Sequence, residues 1–269
     1  MKEKKILIVA QEITPFVAPS PLADVGRSLP QALQEKGYEI RTFMPKWGNV
    51  NERRNQLHEV IRLSGMNLII DETDHPLIIK VASIQAARMQ VYFIDNDDYF
   101  QNRGMMCDRE GKEYEDNDER TIFFGRGVLK TVQKLRWVPD VIHCHGWMTA
   151  LIPLYIKTFY KDEPSFRNAK VVYSLYDNKF TGSFHKEFLS NLLLKDMSAY
   201  DLKGIKEPVN YEELCKLAIT YSDGVVQNSE AADEPLLNFA RSKKKPILDF
   251  QSPDTYADAV DAFYDGIIS

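Results

Sequence analysis

The sequence has few cysteines, and none is placed for cross-linking or for binding a metal. Only Cys107, Cys144 and Cys215 occur among 269 residues, and there is no Cys-x-x-Cys pair or zinc-type Cys/His spacing. Disulfide frameworks and zinc modules both need such sets, so the sequence argues against either class. A reducing, cytoplasmic location fits this cysteine usage best.

Long apolar runs are also missing. No stretch approaches the ~18 apolar residues of a membrane-spanning helix, and the amino terminus passes from charged residues directly into the short apolar run 6–10. That run is too short for the apolar part of a signal peptide. We therefore expect a soluble, unprocessed chain with no membrane partner.

A basic stripe of the kind that binds nucleic acid is absent as well. The formal net charge is −5, and no segment combines clustered Lys and Arg with aromatic residues. We interpret the short basic run 241–245 as a solvated helix end. No repeat, low-complexity tract or Gly/Ser linker divides the chain, so we expect one large domain and no nucleic-acid partner.

The first 37 residues carry the most informative pattern. Residues 6–10 are all apolar, which is typical of a parallel strand covered on both faces. After a Pro-rich loop, apolar residues recur at helical spacing from Leu22 to Leu33, and Gly37 ends the pattern. A strand, a loop at its carboxyl end and a helix amino terminus are the parts of an anion- or nucleotide-binding crevice. They equally fit a structural β-α turn, and the residues alone leave both interpretations open.

Further apolar runs predict strands at 38–44, 60–63, 66–70, 76–83, 91–94, 139–144, 169–176 and 223–228. Helical spacing predicts helices that include 118–135 and one that begins at Glu230 behind a Ser229 cap. This alternation indicates an α/β fold, Rossmann-like and doubly wound, with a mainly parallel sheet and a β-rich insertion at 50–80. We divide the chain into a domain over 1–252 and a terminal amphipathic helix over 253–269, which should pack back on that domain.

Acidic and amide residues at 95–98 follow a predicted strand and raise the question of a metal site. The segment lacks the Gly that an EF-hand loop needs, so we interpret it as a solvated loop. We expect no metal and no cofactor. His58, His75 and His185 stand alone in the sequence and are interpreted as surface residues.

Several short motifs stand in order at the predicted strand ends: Glu12 before Pro15, Leu22-Ala23-Asp24-Val25, Leu29-Pro30, Pro45, Asp116-Asn117 with Arg120, Asp140 to His143 with His145 and Trp147, and Asp223 before Val225 and Ser229. This order resembles the amino-terminal domain of bacterial glycogen synthase and plant starch synthase, over nearly the whole chain. The resemblance implies the amino-terminal half of a GT-B fold, in which two Rossmann-like domains enclose the active site. It also implies glucosyl transfer from ADP-glucose or UDP-glucose to an α-1,4-glucan.

The resemblance implies a set of substrate-binding residues: Asp24, Asp116, Arg120, His145, Trp147, Tyr176 and Asp177. In this interpretation Asp24, Asp116 and Arg120 hold acceptor hydroxyls, and Trp147 stacks on a sugar ring. Each also has a structural alternative. Asp24 would favour the helix dipole, Arg120 would pair with Asp116 or Glu119, and Trp147 would lie in the core.

Several positions depart from the family's pattern. Its donor loop is Lys-x-Gly-Gly, in which the lysine meets the phosphates and the glycines let backbone amides approach them; here these positions are Ala18, Pro19, Ser20 and Pro21. A proline has no amide hydrogen and an alanine no charge, so this loop is degenerate. Met148 stands where the family has a catalytic histidine, and Tyr176 and Asp177 replace a His-Asn pair. No catalytic residue is assigned.

These losses lead to a functional prediction with an alternative. The domain resembles a hexosyltransferase of glycogen biosynthesis that is weak or inactive alone, because the donor loop is altered and the family's second domain would begin near Ser269. A partner chain would then supply that domain. The alternative is a non-catalytic glucan-binding or regulatory module, and a binder of an unrelated small molecule is the third possibility.

Overall fold

A computed structural model describes residues 4–269 as a ten-stranded mixed sheet flanked by helices. The strands are β1 (Lys5–Ala10), β2 (Glu39–Pro45), β3 (His58–Glu59), β4 (Met66–Ile70), β5 (Thr73–Ile84), β6 (Met89–Asp95), β7 (Val141–His145), β8 (Lys170–Leu175), β9 (Gly224–Gln227) and β10 (Ile247–Leu248). Their order across the sheet is β10-β9-β8-β7-β1-β2-β6-β5-β3, with β4 paired to β5. The predicted α/β class with a mainly parallel sheet is confirmed.

The helices lie on both faces of this sheet. They are α1 (Pro21–Glu35), α2 (Asp97–Phe100), α3 (Asn117–Leu135), α4 (Ile152–Lys157), α5 (Phe188–Leu192), α6 (Tyr211–Tyr221), α7 (Glu234–Ser242) and α8 (Pro253–Ile268). Over residues 4–269 no helix combines the length and the apolar character that crossing a bilayer requires.

The centre of the sheet is β1, as its apolar run predicts. It pairs in parallel with β2 on one side and with β7 on the other, and residues 6–10 are completely buried. The chain moves outward from β1 first through β2 and later through β7, so the strand order reverses between β1 and β7. In open α/β sheets, ligands bind outside the carboxyl ends of the strands at such a switch point.

The β-rich insertion forms the antiparallel part of the sheet, where β5 pairs with β3, β4 and β6. The strand predicted at 60–63 is wrong, because this segment is a tight turn. The amides of Leu63 and Ser64 both donate to the Val60 carbonyl, at 2.8 and 3.1 Å, and Ile61 points into solvent. The strand in this region is β3, two residues earlier.

The interpretation of 95–98 as a solvated loop is also wrong. The carboxylate of Asp95 is buried and accepts from the Lys80 ammonium at 2.7 Å, and burial raises the pKa of Asp95. The Asn96 side chain accepts the amides of Asp98 and Tyr99 and so caps α2. A buried ion pair and a helix cap therefore occupy this segment.

Three other local predictions need correction. The helix expected from Glu230 begins at Glu234, since Ser229 caps only a turn, through the Ala231 amide at 3.2 Å. Lys245 is not solvated as predicted, because its ammonium donates to the carbonyls of Thr220 and Ser222 at the end of α6, at 2.9 and 2.7 Å. His75, expected at the surface, is buried against Tyr99 and hydrogen-bonded to its hydroxyl at 2.9 Å.

The terminal helix α8 packs on the sheet beside α1. Its buried Tyr256, Val260 and Tyr264 join an apolar cluster with residues of β1, β7, β8 and β9. The Tyr264 hydroxyl is hydrogen-bonded to Nδ1 of His143 at 2.6 Å. At the edge of this interface the Lys36 ammonium pairs with Asp258 and Asp261, at 2.7 and 3.3 Å.

Candidate functional site

The carboxyl ends of β1 and β7 meet at the switch point, and Gln11 fills the space between them. The backbone amide of Gln11 donates to the His145 carbonyl at 3.1 Å, and its side-chain oxygen accepts the backbone amide of Met148 at 3.2 Å. Gly146 has a φ of +88°, and a Cβ at this position would lie 2.8 Å from the side-chain oxygen of Gln11. The turn after β7 therefore needs glycine to pass this close to Gln11.

The amino terminus of α1 is capped by the side chain of Ser20. Ser20 is the N-cap, and its hydroxyl accepts the Ala23 amide at 3.0 Å while donating to the Glu12 carboxylate at 2.6 Å. Pro21 has no amide hydrogen to offer. Burial raises the pKa of Glu12, partly opposed by the hydrogen bond from Ser20. Ala18 and Pro19 are exposed and add no charge.

His145 and Tyr176 lie at the carboxyl ends of neighbouring strands and are hydrogen-bonded to each other. The distance between Nδ1 of His145 and the Tyr176 hydroxyl is 2.9 Å. Both side chains are buried, and burial lowers the pKa of His145 to about 3, so the imidazole is neutral at physiological pH. Its Nε2 is buried and has no protein partner among the described residues.

Trp147 and Met148 belong to the core. Trp147 is 1% exposed, and its ring packs against Phe180 and Phe184 at centroid distances of 5.0 and 6.4 Å. In this structure the ring has no open face for a sugar. The Met148 sulfur lies 3.3 Å from the Thr121 hydroxyl, and thioethers are weak acceptors that carry no charge.

Asp116 and Arg120 take separate partners. Arg120 is completely buried, and its guanidinium donates to the carbonyls of Gly104 and Met105 at 2.8 and 2.9 Å. Asp116 instead forms an ion pair with Arg103, with one N–O distance of 2.7 Å. Burial lowers the pKa of Arg120 to about 9, and nearby Arg103 adds to the shift. Among the described contacts Arg120 pairs with neither Asp116 nor Glu119, so the predicted structural bridge is wrong in its partners.

One open cleft lies beside the first turn of α1. This cleft of about 320 Å³ is bounded by the exposed Asp24, by the end of β9 and by the segment that leads into α8. Its further lining residues are Pro21, Val25, Ser28, Gln227, Asn228, Phe250, Gln251, Pro253 and Tyr256. We call this the Asp24 cleft. Asp24 is the only predicted substrate-binding residue on its wall.

The predicted substrate-binding residues therefore lie in four separate places. Asp24 lines the Asp24 cleft, His145, Trp147 and Tyr176 are buried beneath the strand ends, and Asp116 and Arg120 anchor the loop before α3. Asp177 is exposed just after β8. Their roles in substrate binding stay predictions. Over residues 4–269 no three His, Cys, Asp or Glu side chains gather closely enough to hold a metal ion.

The segment after β8 is fixed by a histidine-carboxylate pair. Nδ1 of His185 lies 2.9 Å from the buried Asp118 carboxylate, which raises the pKa of His185 above its usual value. The pair stabilises the protein fully at pH values below the unfolded-state pKa near 6.5. That contribution is lost as the pH rises through the folded-state pKa, because the imidazolium then loses its proton.

We expect His185→Gln to lower the free energy of unfolding at pH 5.5 and to have little effect at pH 8.5. Because the His185 side chain is 53% exposed, the loss in unfolding free energy should be about 0.2–1 kcal/mol, as is typical of exposed ion pairs. Urea unfolding of both proteins at the two pH values measures it. His58→Gln is the control, since His58 is exposed. Equal losses at both pH values for His185→Gln would contradict the ion pair's role.

Comparisons with known proteins agree on one family. The sequence model of the family described as starch synthase catalytic domain matches residues 5–242. A glycogen synthase of Chlorobaculum tepidum is 37% identical over 246 residues, which cover 89% of this chain and 49% of that protein. A glycogen synthase of Pelodictyon phaeoclathratiforme is 39% identical over 196 residues, covering 72% of this chain and 40% of that protein.

A solved structure extends the comparison to the fold. The catalytic domain of starch synthase IV from Arabidopsis thaliana, bound to ADP and acarbose, superposes with a TM-score of 0.74 at 19% identity. The match covers 94% of this chain and 53% of that one, and it supports the predicted fold class. The chain spans about half or less of the length of the curated relatives it matches.

Proposed function

Because the chain belongs to the starch synthase catalytic domain family, we propose that it is a glucosyltransferase-type domain with little or no activity by itself. Its substrates would be a nucleotide sugar, ADP-glucose or UDP-glucose, and an α-1,4-glucan. The scattered free thiols are in keeping with a cytoplasmic location.

One observation supports the proposed weakness: the amino terminus of α1 has few groups that could bind a phosphate. A helix amino terminus binds phosphate through free amides and a positive dipole end. Here the Ser20 hydroxyl accepts the Ala23 amide, and Pro21 has no amide hydrogen. The buried Glu12 carboxyl lies 2.6 Å from the Ser20 hydroxyl. Ala18 supplies no charge in place of the family's lysine. A leaving diphosphate would therefore gain little electrostatic stabilisation from this end of α1.

The alternative function is a glucan-binding or regulatory module. It is favoured by Met148, which cannot donate a hydrogen bond or carry charge at the position of the family's histidine, together with the closed donor loop. The exposed Asp24 remains available on the sugar side. For the transferase function, a partner chain that supplies a second domain would complete the cleft.

We expect the purified chain to transfer no radiolabel from ADP-glucose or UDP-glucose to glycogen above background. The same chain should co-sediment with glycogen. A glycogen synthase with both GT-B domains is the positive control for transfer, and bovine serum albumin is the negative control for sedimentation. Robust turnover by the chain alone would refute the proposed weakness, and failure to sediment with glycogen would refute both functions.

A further inference from the structure

We propose that a pocket between the loop after β2 and the loop before α3 binds a small phosphate monoester. The pocket has a volume of about 320 Å³. The polar side chains on its wall include those of Asn49, Asn102, Arg103, Asp108, Arg109 and Tyr114. We call this the Arg103 pocket. It shares no lining residue with the Asp24 cleft, so the inference goes beyond the proposed function.

The charge of the Arg103 pocket favours an anion. Its lining residues include two arginines and a single carboxylate, that of Asp108. One oxygen of this carboxylate accepts the backbone amides of Glu110 and Lys112, at 3.0 and 2.9 Å, so Asp108 fixes its own turn. The Arg109 side chain is exposed and forms no ion pair within residues 4–269. Its guanidinium can therefore pair with a phosphate, whose geometry it matches.

Arg103 is held in place by bonds that leave one of its donors unused. Its Nη1 donates to the Asp98 carbonyl at 3.0 Å and to the Asp116 carboxylate at 2.7 Å, and its Nη2 donates to the other oxygen of Asp116. None of these bonds uses Nε. The Tyr114 hydroxyl accepts the Gly104 amide at 2.9 Å, which leaves the hydroxyl hydrogen as a further donor. Fixed donors suit an ionised phosphate, because its oxygens accept hydrogen bonds.

A buried cation near the pocket adds to the attraction. The guanidinium carbons of Arg103 and Arg120 lie 4.3 and 4.9 Å from the centre of the Tyr114 ring. Arg120 is completely buried, and its hydrogen-bond partners are two backbone carbonyls and one side-chain amide oxygen, none of them charged. Burial, together with the nearby Arg103, lowers the pKa of Arg120 to about 9. An anion beside Arg103 would offset the repulsion between the two guanidinium groups.

The size and the amide groups of the pocket point to a ligand larger than a phosphate ion. Pockets of this volume are typical of sites for small organic molecules. The side-chain amides of Asn49 and Asn102 lie on the same wall as the arginines, and each amide can both donate and accept. Hydroxyl groups need such partners. A phosphate monoester with a hydroxylated body therefore matches both the charged and the neutral parts of the wall.

The test measures the binding of ribose 5-phosphate by isothermal titration calorimetry, with ribose as the uncharged probe. We expect Arg109→Gln to weaken binding by about tenfold, from the loss of a charge-assisted hydrogen bond. Asn49→Asp should weaken it by about fivefold, because it adds a carboxylate to the wall. Both side chains are exposed, so these variants should fold normally. Arg167→Gln is the matched control, since Arg167 is exposed and lies outside the pocket. It should change the affinity by less than about twofold.

The inference is supported if ribose 5-phosphate binds, if added NaCl weakens that binding, and if inorganic phosphate but not ribose displaces it. It fails if ribose 5-phosphate does not bind at millimolar concentration, or if ribose binds equally well. It also fails if Arg109→Gln and Asn49→Asp both behave like Arg167→Gln, because the phosphate would then lie elsewhere. These measurements use neither glycogen nor a nucleotide sugar, so their failure leaves the proposed function standing.

Discussion

Arg120→Met is expected to lower the free energy of unfolding by about 2–4 kcal/mol, because it leaves buried carbonyls without a donor. The guanidinium binds Gly104, Met105 and the Asn117 side chain, all within 2.9 Å, and lies over the Trp47 and Tyr114 rings. Methionine would fill much of the volume and remove the cost of burying a charge. The carbonyls of Gly104 and Met105 would still lack a donor, so we expect the net effect of the substitution to be destabilising.

Chemical denaturation with urea measures this effect. Arg126→Met is the matched control, since Arg126 lies on the same helix with a half-buried side chain and donates to a single carbonyl, that of Ile69. It should cost less than about 1 kcal/mol. If Arg120→Met is no less stable than Arg126→Met, the anchoring of the 104–117 segment by Arg120 is wrong. A substrate role for Arg120 would then regain support.

The second large effect is expected at Tyr264, which fixes α8 to the sheet. Tyr264→Ala should lower the free energy of unfolding by about 3–5 kcal/mol, the range for removing a large buried ring. Tyr264→Phe keeps the ring and leaves Nδ1 of His143 without its 2.6 Å partner, which should cost about 1–3 kcal/mol. Limited proteolysis then reports whether α8 is released before the rest of the domain.

The matched control for this pair is Ile268→Ala, at the exposed end of the same helix. Surface substitutions usually change stability by less than about 0.5 kcal/mol. Equal stability of Tyr264→Ala and Ile268→Ala would mean that α8 contributes little to the domain. We expect Tyr264→Ala to be the least stable, Tyr264→Phe to be intermediate and the wild type to be the most stable.

Most of the sheet was predictable from the sequence because its central strands are apolar throughout. Residues 6–10 and the run before His145 are buried on both faces, and an unbroken apolar run of this length is typical of a covered parallel strand. The failures have local causes. The run 60–63 is apolar but forms a turn around the Val60 carbonyl, and apolar character alone does not distinguish the two. The sequence alone suggests that the Asp95 carboxylate is solvated, but the fold buries it against Lys80, which is distant in the chain.

The site was predictable only where local chemistry decides it. Pro21 and Ala18 point to a weakened phosphate loop without any structure, because proline lacks an amide hydrogen and alanine lacks charge. The bond from Ser20 to Glu12 depends on the fold, as does the burial of Trp147 under Phe180. Phe250 and Asn228 were not singled out from the sequence, since their segments line one cleft only in the folded chain.

The short outer strands of the sheet have a consequence for association. Both ends of the strand order, β3 and β10, are two residues long, so little unpaired backbone is presented for pairing with another molecule. Long open strands at such borders promote aggregation and fibre growth. On β4, which also lies at a border, Arg126 occupies the Ile69 carbonyl. β3 and β10 therefore offer little backbone for strand addition.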